Sequence, residues 1–175
     1  MKLTVLKLQK IAFILNAVFV IGLFVSAVIY TTSFYDTYLY GNEELITFYT
    51  EDLQQYNKTI FNYSLALLLL FVLCILLKPN RYYPTFITYP VLMAIMITGI
   101  VLGILSVVQM TPIMNFYKGY DYSSIPRLAD YRLNYFFPVF TKLCGIGLAV
   151  VNIASIGIYS IGLWKYIRGR EVLHD

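Results

Sequence analysis

The sequence predicts an all-α integral membrane protein, a four-transmembrane-helix bundle with both termini cytoplasmic and a small, partly helical extracellular cap. Three observations carry this expectation. Hydrophobic residues make up 59% of the chain and charged residues 13%, against about 45–50% and about 25% in soluble domains. A soluble fold has nowhere to put that excess of apolar surface. Four apolar runs, at 11–30, 60–77, 91–109 and 142–164, each approach the ~20 helical residues that a bilayer requires. None holds an ionised side chain in its interior, where a charge costs at least ~2.5 kcal/mol.

The third observation is the sorting of charge. Lys2, Lys7 and Lys10 precede the first run, Lys78 and Arg81 lie between the second and third, and Lys165, Arg168 and Arg170 follow the fourth. Of the acids, only Glu171 and Asp175 share that side. Basic residues mark the cytoplasmic side, so the termini and the loop 78–90 face inward. The loops 31–59 and 110–141 face outward. The chain reads as a single membrane domain of a plasma membrane, and its paucity of cysteine suits a bacterial inner membrane.

The first run follows lysines and contains "VSA" at 25–27, features shared with a signal peptide and its cleavage site. Its apolar stretch continues through Ile29, longer than the ~7–15 residues of a signal core, so it reads as the first span.

The first outer loop divides in two. Its start, "FYDTYLYG", is aromatic and expected to be irregular. Asn42 then suits a helix cap, with Glu43 and Glu44 in the first turn. Leu45, Phe48, Tyr49, Leu53, Tyr56 and Ile60 recur at helical spacing. No breaker intervenes before the second span, so one continuous helix is expected from about Glu43 to Leu77. In the inner loop, Pro79, Pro84 and Pro90 punctuate a tight hairpin. Pro90 suits the first turn of the third span, and Tyr82, Tyr83 and Tyr89 suit headgroup depth.

In the second outer loop, "YKGYDYSS", which follows "MTP", is expected to be flexible. Ser124 is the expected cap of a short helix with Pro126 in its first turn. Ile125, Leu128, Leu133 and Tyr135 form its expected packed side, and Pro138 its end. Loop one is net acidic and loop two net basic, which favours their packing together as one cap.

Within the spans, Gly99 and Gly103 form a small-residue pair four apart, and Gly145, Ala149 and Asn152 recur on the fourth span. These residues, with Asn16 on the first span, are expected to serve helix packing and interhelical hydrogen bonding. Cys74 and Cys144 fall at opposite depths and are expected to be separate, buried small residues rather than a disulfide.

Chemistry is conspicuous by its missing parts. His174 is the only histidine, which removes nucleophile–histidine catalysis and the familiar zinc and haem ligations. No phosphate-binding glycine loop occurs. The basic residues flank spans rather than forming a stripe, so nucleic acid is no partner. Asp36, Glu43, Glu44, Glu51 and Asp52 lack the alternating spacing of a calcium loop and read as a solvated or paired face. No cofactor or metal is expected. The sequons at Asn57 and Asn62 lie against the membrane and are expected to stay unmodified.

The layout resembles the tetraspan membrane families, but the resemblance ends at layout. The outer loops lack the cysteines of tetraspanins, claudins and four-span thiol oxidases, and the first span lacks the acid of small multidrug transporters. The expected function is that of a non-enzymatic accessory, stabilising or regulatory subunit of a larger membrane complex. Its partner-binding candidates are Tyr35, Tyr38, Tyr40, Tyr120 and Tyr122, since tyrosine joins apolar area to a hydrogen-bonding tip. The alternatives are a self-associating carrier or channel, a homo-oligomer joined along Gly99 and Gly103, and a receptor or immunity-type binder using the cap.

Overall fold

Four long helices and a compact cap make up the structure, a computed structural model that describes residues 5–29, 34–76 and 88–171. Among these residues every regular element is helical and no strand occurs. Helix α1 spans Val5–Ile29, α2 Tyr35–Tyr40 and α3 Glu43–Thr47. A π-helical turn, Phe48–Leu53, leads directly into α4, Gln54–Leu76. Helix α5 covers Thr88–Gly119, a 3-10 turn Tyr122–Ser124, and α6 Phe136–Glu171.

Three helical segments are long and apolar enough to cross a bilayer: Lys7–Ile29, Tyr89–Gly119 and Phe136–Trp164. They agree with three of the four expected spans. The fourth expectation, 60–77, falls on α4, where residue 77 and the side chains of 73–76 lie outside the described residues. The inner-loop positions 78–87, with Tyr82 and Tyr83, lie outside them as well.

Beside a buried apolar core, the long helices expose many aliphatic side chains and bury several small polar ones. Ile14, Val18 and Val28 of α1, Ile104 and Val108 of α5, and Ile146, Val150 and Ile153 of α6 are exposed. Gln9, Asn16, Ser64, Ser106, Asn152 and Ser155 are buried. Helices that expose aliphatics and hide small polar groups suit a lipid surround, where burying aliphatic surface gains nothing and association rests on close packing.

The long helices pack in a closed order, α1 on α4 and α6, and α5 on α4 and α6. Glycine sets the closest approaches. A β-carbon on Gly103 would stand 2.5 Å from the Gly145 carbonyl oxygen and 3.0 Å from the Ala149 nitrogen. One on Gly22 would stand 2.6 Å from the Cys144 sulfur, and one on Gly147 would strike the Phe19 ring. Cys144 is thus a buried small residue of the α1–α6 contact, as its sequence context suggested; the Cys74 side chain lies outside the described residues. Across α1 and α4, Phe13 meets Phe71 edge to face with ring centroids 5.2 Å apart, and Phe24 meets Phe61 at 5.1 Å. Tyr56 of α4 donates its hydroxyl to the Ser106 carbonyl of α5 at 3.0 Å. Tyr89, expected at headgroup depth, shares a 2.9 Å hydrogen bond with Ser160 on α6.

The stretch from Glu43 to Leu76 is helical without interruption, as its periodicity predicts. The sequence did not signal the π turn, but its cause is visible. Leu45, Tyr49 and Leu53 are all buried, and steps of four residues drift ~40° each around an ideal helix. A wider turn absorbs that drift and keeps all three side chains on one face.

Elsewhere the boundaries move. Residues 35–40, expected to be irregular, form α2, and Gly41 ends it where a β-carbon would press on the Thr37 carbonyl and lie 2.8 Å from Leu45 Cβ. Helix α5 runs ten residues past the expected end at 109, carrying Pro112 inside it. The helix expected from Ser124 is absent. Asp121 takes the capping role, accepting from the Ser123 backbone nitrogen at 3.0 Å, and Ser124 donates to the Asp121 carbonyl. Only a 3-10 turn results, followed by turns with the bonds Leu128 N to Ile125 O and Tyr131 N to Leu128 O. Pro138 opens a helix rather than ending one. Asn134 Oδ1 accepts from the Phe136 nitrogen at 3.0 Å, and Pro138 occupies the first turn of α6.

Close approach at Gly103 predicts its mutational sensitivity. Gly103→Ala should lower the thermal midpoint in detergent, because overpacking costs about 1–3 kcal/mol. Gly157→Ala, where nothing lies within 4 Å of the added carbon, should leave it unchanged or raise it. A thermal-shift measurement by size-exclusion chromatography compares the two.

Candidate functional site

The cap is held by a continuous set of aromatic contacts. Phe34 stacks on Tyr117 with centroids 4.2 Å apart, and Phe48 stacks on Phe116 at 3.7 Å. Phe48 and Tyr117 meet edge to face at 5.4 Å, joining the two stacks. From Phe116 the contacts continue through Tyr120, Tyr122 and Tyr131, and Tyr38 stacks on Tyr49 at 5.0 Å. The first loop supplies one half of this assembly. The second half comes from the projecting end of α5 and the chain after it.

Local chemistry positions each part. Asn42 caps α3 as predicted, its side chain accepting from the Leu45 nitrogen at 3.1 Å, with Glu43 and Glu44 in the first turn. Leu45 and Leu53 are fully buried beneath the aromatic set, as is Leu128 from the second loop. The Tyr122 hydroxyl donates to the Tyr117 carbonyl at 2.8 Å, folding the chain back on the end of α5.

The two loops do pack together, but not through the expected ion pairs. Among the described residues no Asp or Glu of loop one is seen paired with a base of loop two. Instead Arg127 of loop two lies over the Tyr40 ring of loop one at 5.2 Å, while within loop two Lys118 lies over Tyr135 at 5.2 Å. Tyrosine faces attract these cations while leaving the acids solvated.

The candidate tyrosines separate into two groups. Tyr120 and Tyr122 are half-buried members of the aromatic chain. Tyr35, Tyr38 and Tyr40 stand exposed on α2 beside an exposed Leu39. Just after α2 lies an open groove of about 300 Å³, lined by Phe48, Phe116, Glu43, Glu44, Thr47 and Asp52. Sequence reasoning missed this groove because Phe116 was placed in the second outer loop rather than at the end of a helix.

Burial governs tyrosine ionisation here. Desolvation pushes Tyr131 up to about 12, with Asp36 and Tyr135 adding to the effect, and pushes Tyr122 up as well. The exposed Asp121 carboxyl is held below the ordinary range by the hydroxyl and backbone nitrogen of Ser123.

The packing residues meet at a second place, deep between the helices. Asn16 of α1 donates Nδ2 to Ser155 Oγ of α6 at 3.3 Å. Asn152 donates Nδ2 to the Leu148 carbonyl at 2.8 Å, and its amide lies against Gly99, where a β-carbon would stand 2.5 Å from it. Gly99, Gly103, Gly145, Ala149, Asn152 and Asn16 are therefore brought together within one chain, as packing residues. Asn57 of the first sequon is buried at 8% exposure, whereas Asn62 of the second is exposed. Among the described residues no group of three or more His, Cys, Asp or Glu could hold a metal ion.

Comparison with protein-family models, curated proteins and solved structures finds no match to this chain.

The raised tyrosines set an alkaline limit. The folded pKa of Tyr131 stands above the unfolded value of about 10, so its contribution is intact below pH ~10 and is lost as pH rises toward 12. Phenolate absorbance should show a late phase that coincides with loss of near-ultraviolet dichroism. Tyr131→Phe should shrink that phase.

Proposed function

We propose that this chain is a non-enzymatic accessory subunit of a larger membrane complex, a four-span protein of the plasma membrane with both termini cytoplasmic. It stabilises or regulates a membrane partner through its outer cap. For the fourth span, the support is that α4 is 23 residues long, packs on both α1 and α5, and continues in the sequence as an apolar run to Leu77. The orientation rests on the charge sorting read from the sequence, joined by Arg168 over the Trp164 ring at 4.2 Å near the end of α6. Such an aromatic–basic pair suits a cytoplasmic interface.

The observation that carries the reading is the exposed face of α2. Tyr35 is 50% exposed, Tyr38 40% and Leu39 49%, on a helix held to the cap by the Tyr38–Tyr49 stack and the Arg127–Tyr40 contact. Most other rings of the cap are spent on one another. An exposed face with tyrosine at two of these three positions has the aromatic enrichment of an interface. The neighbouring acidic-rimmed groove suits a basic group on the same partner.

Self-association along the glycine pair loses its main support, because Gly99 and Gly103 face Asn152, Gly145 and Ala149 of the same chain. An enzymatic reading has no catalytic constellation behind it among the described residues.

Site-specific photocrosslinking tests the proposal. A photoreactive side chain in place of Leu39 should capture one defined membrane protein in native membranes, and Tyr38→Ser should reduce that capture several-fold. The same probe at Ile153, on the exposed face of α6, should capture lipid. Leu39 adducts made up only of lipid would overturn the assignment of α2 as a partner surface.

A further inference from the structure

The two mid-helix asparagines each leave an atom unanswered. Asn16 Oδ1 and Asn152 Oδ1 are buried with no hydrogen-bond partner, although each residue's nitrogen is engaged. Both residues line one internal cavity, with Phe13, Phe71, Ile95 and Met96 among its other walls. The residues are 3% and 1% exposed, so neither oxygen reaches bulk solvent. In a lipid-surrounded bundle an unanswered carbonyl has no water to turn to, and the cost of leaving it bare is high.

The size of the cavity identifies what answers them. Its volume is about 10 Å³, close to the ~10–15 Å³ that one water occupies on this measure. A partner for two carbonyl oxygens must donate two hydrogens. No carboxylate lines the cavity, and Tyr159 is its titratable residue, so a cation would enter without counter-charge and with too few oxygens to replace its hydration shell. Amide orientation does not alter the requirement, because water accepts as readily as it donates.

We propose that this cavity is a binding site for a single water molecule, which bridges the side-chain amides of Asn16 on α1 and Asn152 on α6. The water completes a polar clasp whose other members are Ser155, bonded to Asn16, and Gly99, which makes room for the Asn152 amide. It links α1, α5 and α6 at a depth where the surrounding contacts are apolar.

The test uses the full-length, isotope-labelled protein in deuterated-lipid nanodiscs and reads Overhauser transfer from the water resonance to side-chain amide protons. Persistent cross-peaks are expected on both Asn16 and Asn152. Asn16→Leu places an aliphatic group in the cavity; the Asn152 cross-peak should vanish and the thermal midpoint should fall by about 2–4 °C. Ser155→Ala removes the direct bond to Asn16 but leaves the cavity, so both cross-peaks should survive. Water signals on one amide only, on neither, or an Asn152 signal that outlasts Asn16→Leu would overturn the bridge.

Discussion

The approach of α5 to α6 is the constraint on which the rest of the structure depends. Lipid offers no hydrophobic reward for joining two apolar helices, so contact must come from close packing and a few polar groups. Gly103 and Gly145 let the two backbones meet directly, as the short distance from Gly103 to the Gly145 carbonyl shows. That spacing brings Asn152 onto Gly99 and places Ser106 at the Tyr56 hydroxyl. Helix α4 is therefore tied to α5 by a bond whose acceptor is positioned by the α5–α6 contact. Helix α1 joins the same arrangement through Asn16 and the Gly22–Cys144 approach.

The cap follows from the same constraint, because it stands on the projecting end of α5. At 32 residues, α5 extends ~48 Å at 1.5 Å per residue, beyond a hydrocarbon core of ~30 Å. The surplus carries Met110, Ile113, Met114, Phe116 and Tyr117 to where the first loop packs. Pro112 is tolerated within this length although it removes a backbone donor. Nearby, the Thr111 hydroxyl bonds back to the Val107 carbonyl at 2.9 Å. Proline in such helices is compatible with local polar compensation of this sort.

What could be read from the sequence was whatever a single periodicity or a single local bond decides. The apolar runs announced α1, α5 and α6, and Asn42 with Glu43 and Glu44 announced the start of α3. The packing roles of Gly99, Gly103 and Asn152 followed from residue size and polarity. The errors arose where two local signals competed. Ser124 and Asp121 are both capable caps, and Asp121 won because its carboxylate reaches the Ser123 hydroxyl as well as the backbone. Pro138 was read as a helix end, although Asn134 four residues before it was a usable signal for a helix beginning. The π turn and the groove lined by Phe48 and Phe116 depend on contacts between distant segments, which no local pattern contains.

Most of the chain's aromatic cap is committed to its own packing. Seventeen tyrosines in one chain suggest a broad recognition surface, yet Tyr49, Tyr56 and Tyr117 are buried. Tyr120, Tyr122 and Tyr131 are engaged with one another. Among the described residues, Asn16–Ser155, Tyr56–Ser106 and Tyr89–Ser160 join helix to helix, and the buried polar side chains include no Asp, Glu, Lys, Arg or His. On the proposed reading, recognition falls where rings remain both exposed and fixed. Helix α2 meets both conditions, because Tyr38 is braced by Tyr49 and Tyr40 by Arg127 while their outer faces stay open. A face already ordered before a partner arrives loses less entropy on binding than a flexible loop would. That is the physical advantage of building α2 on a cap whose other aromatic residues are consumed in holding it still.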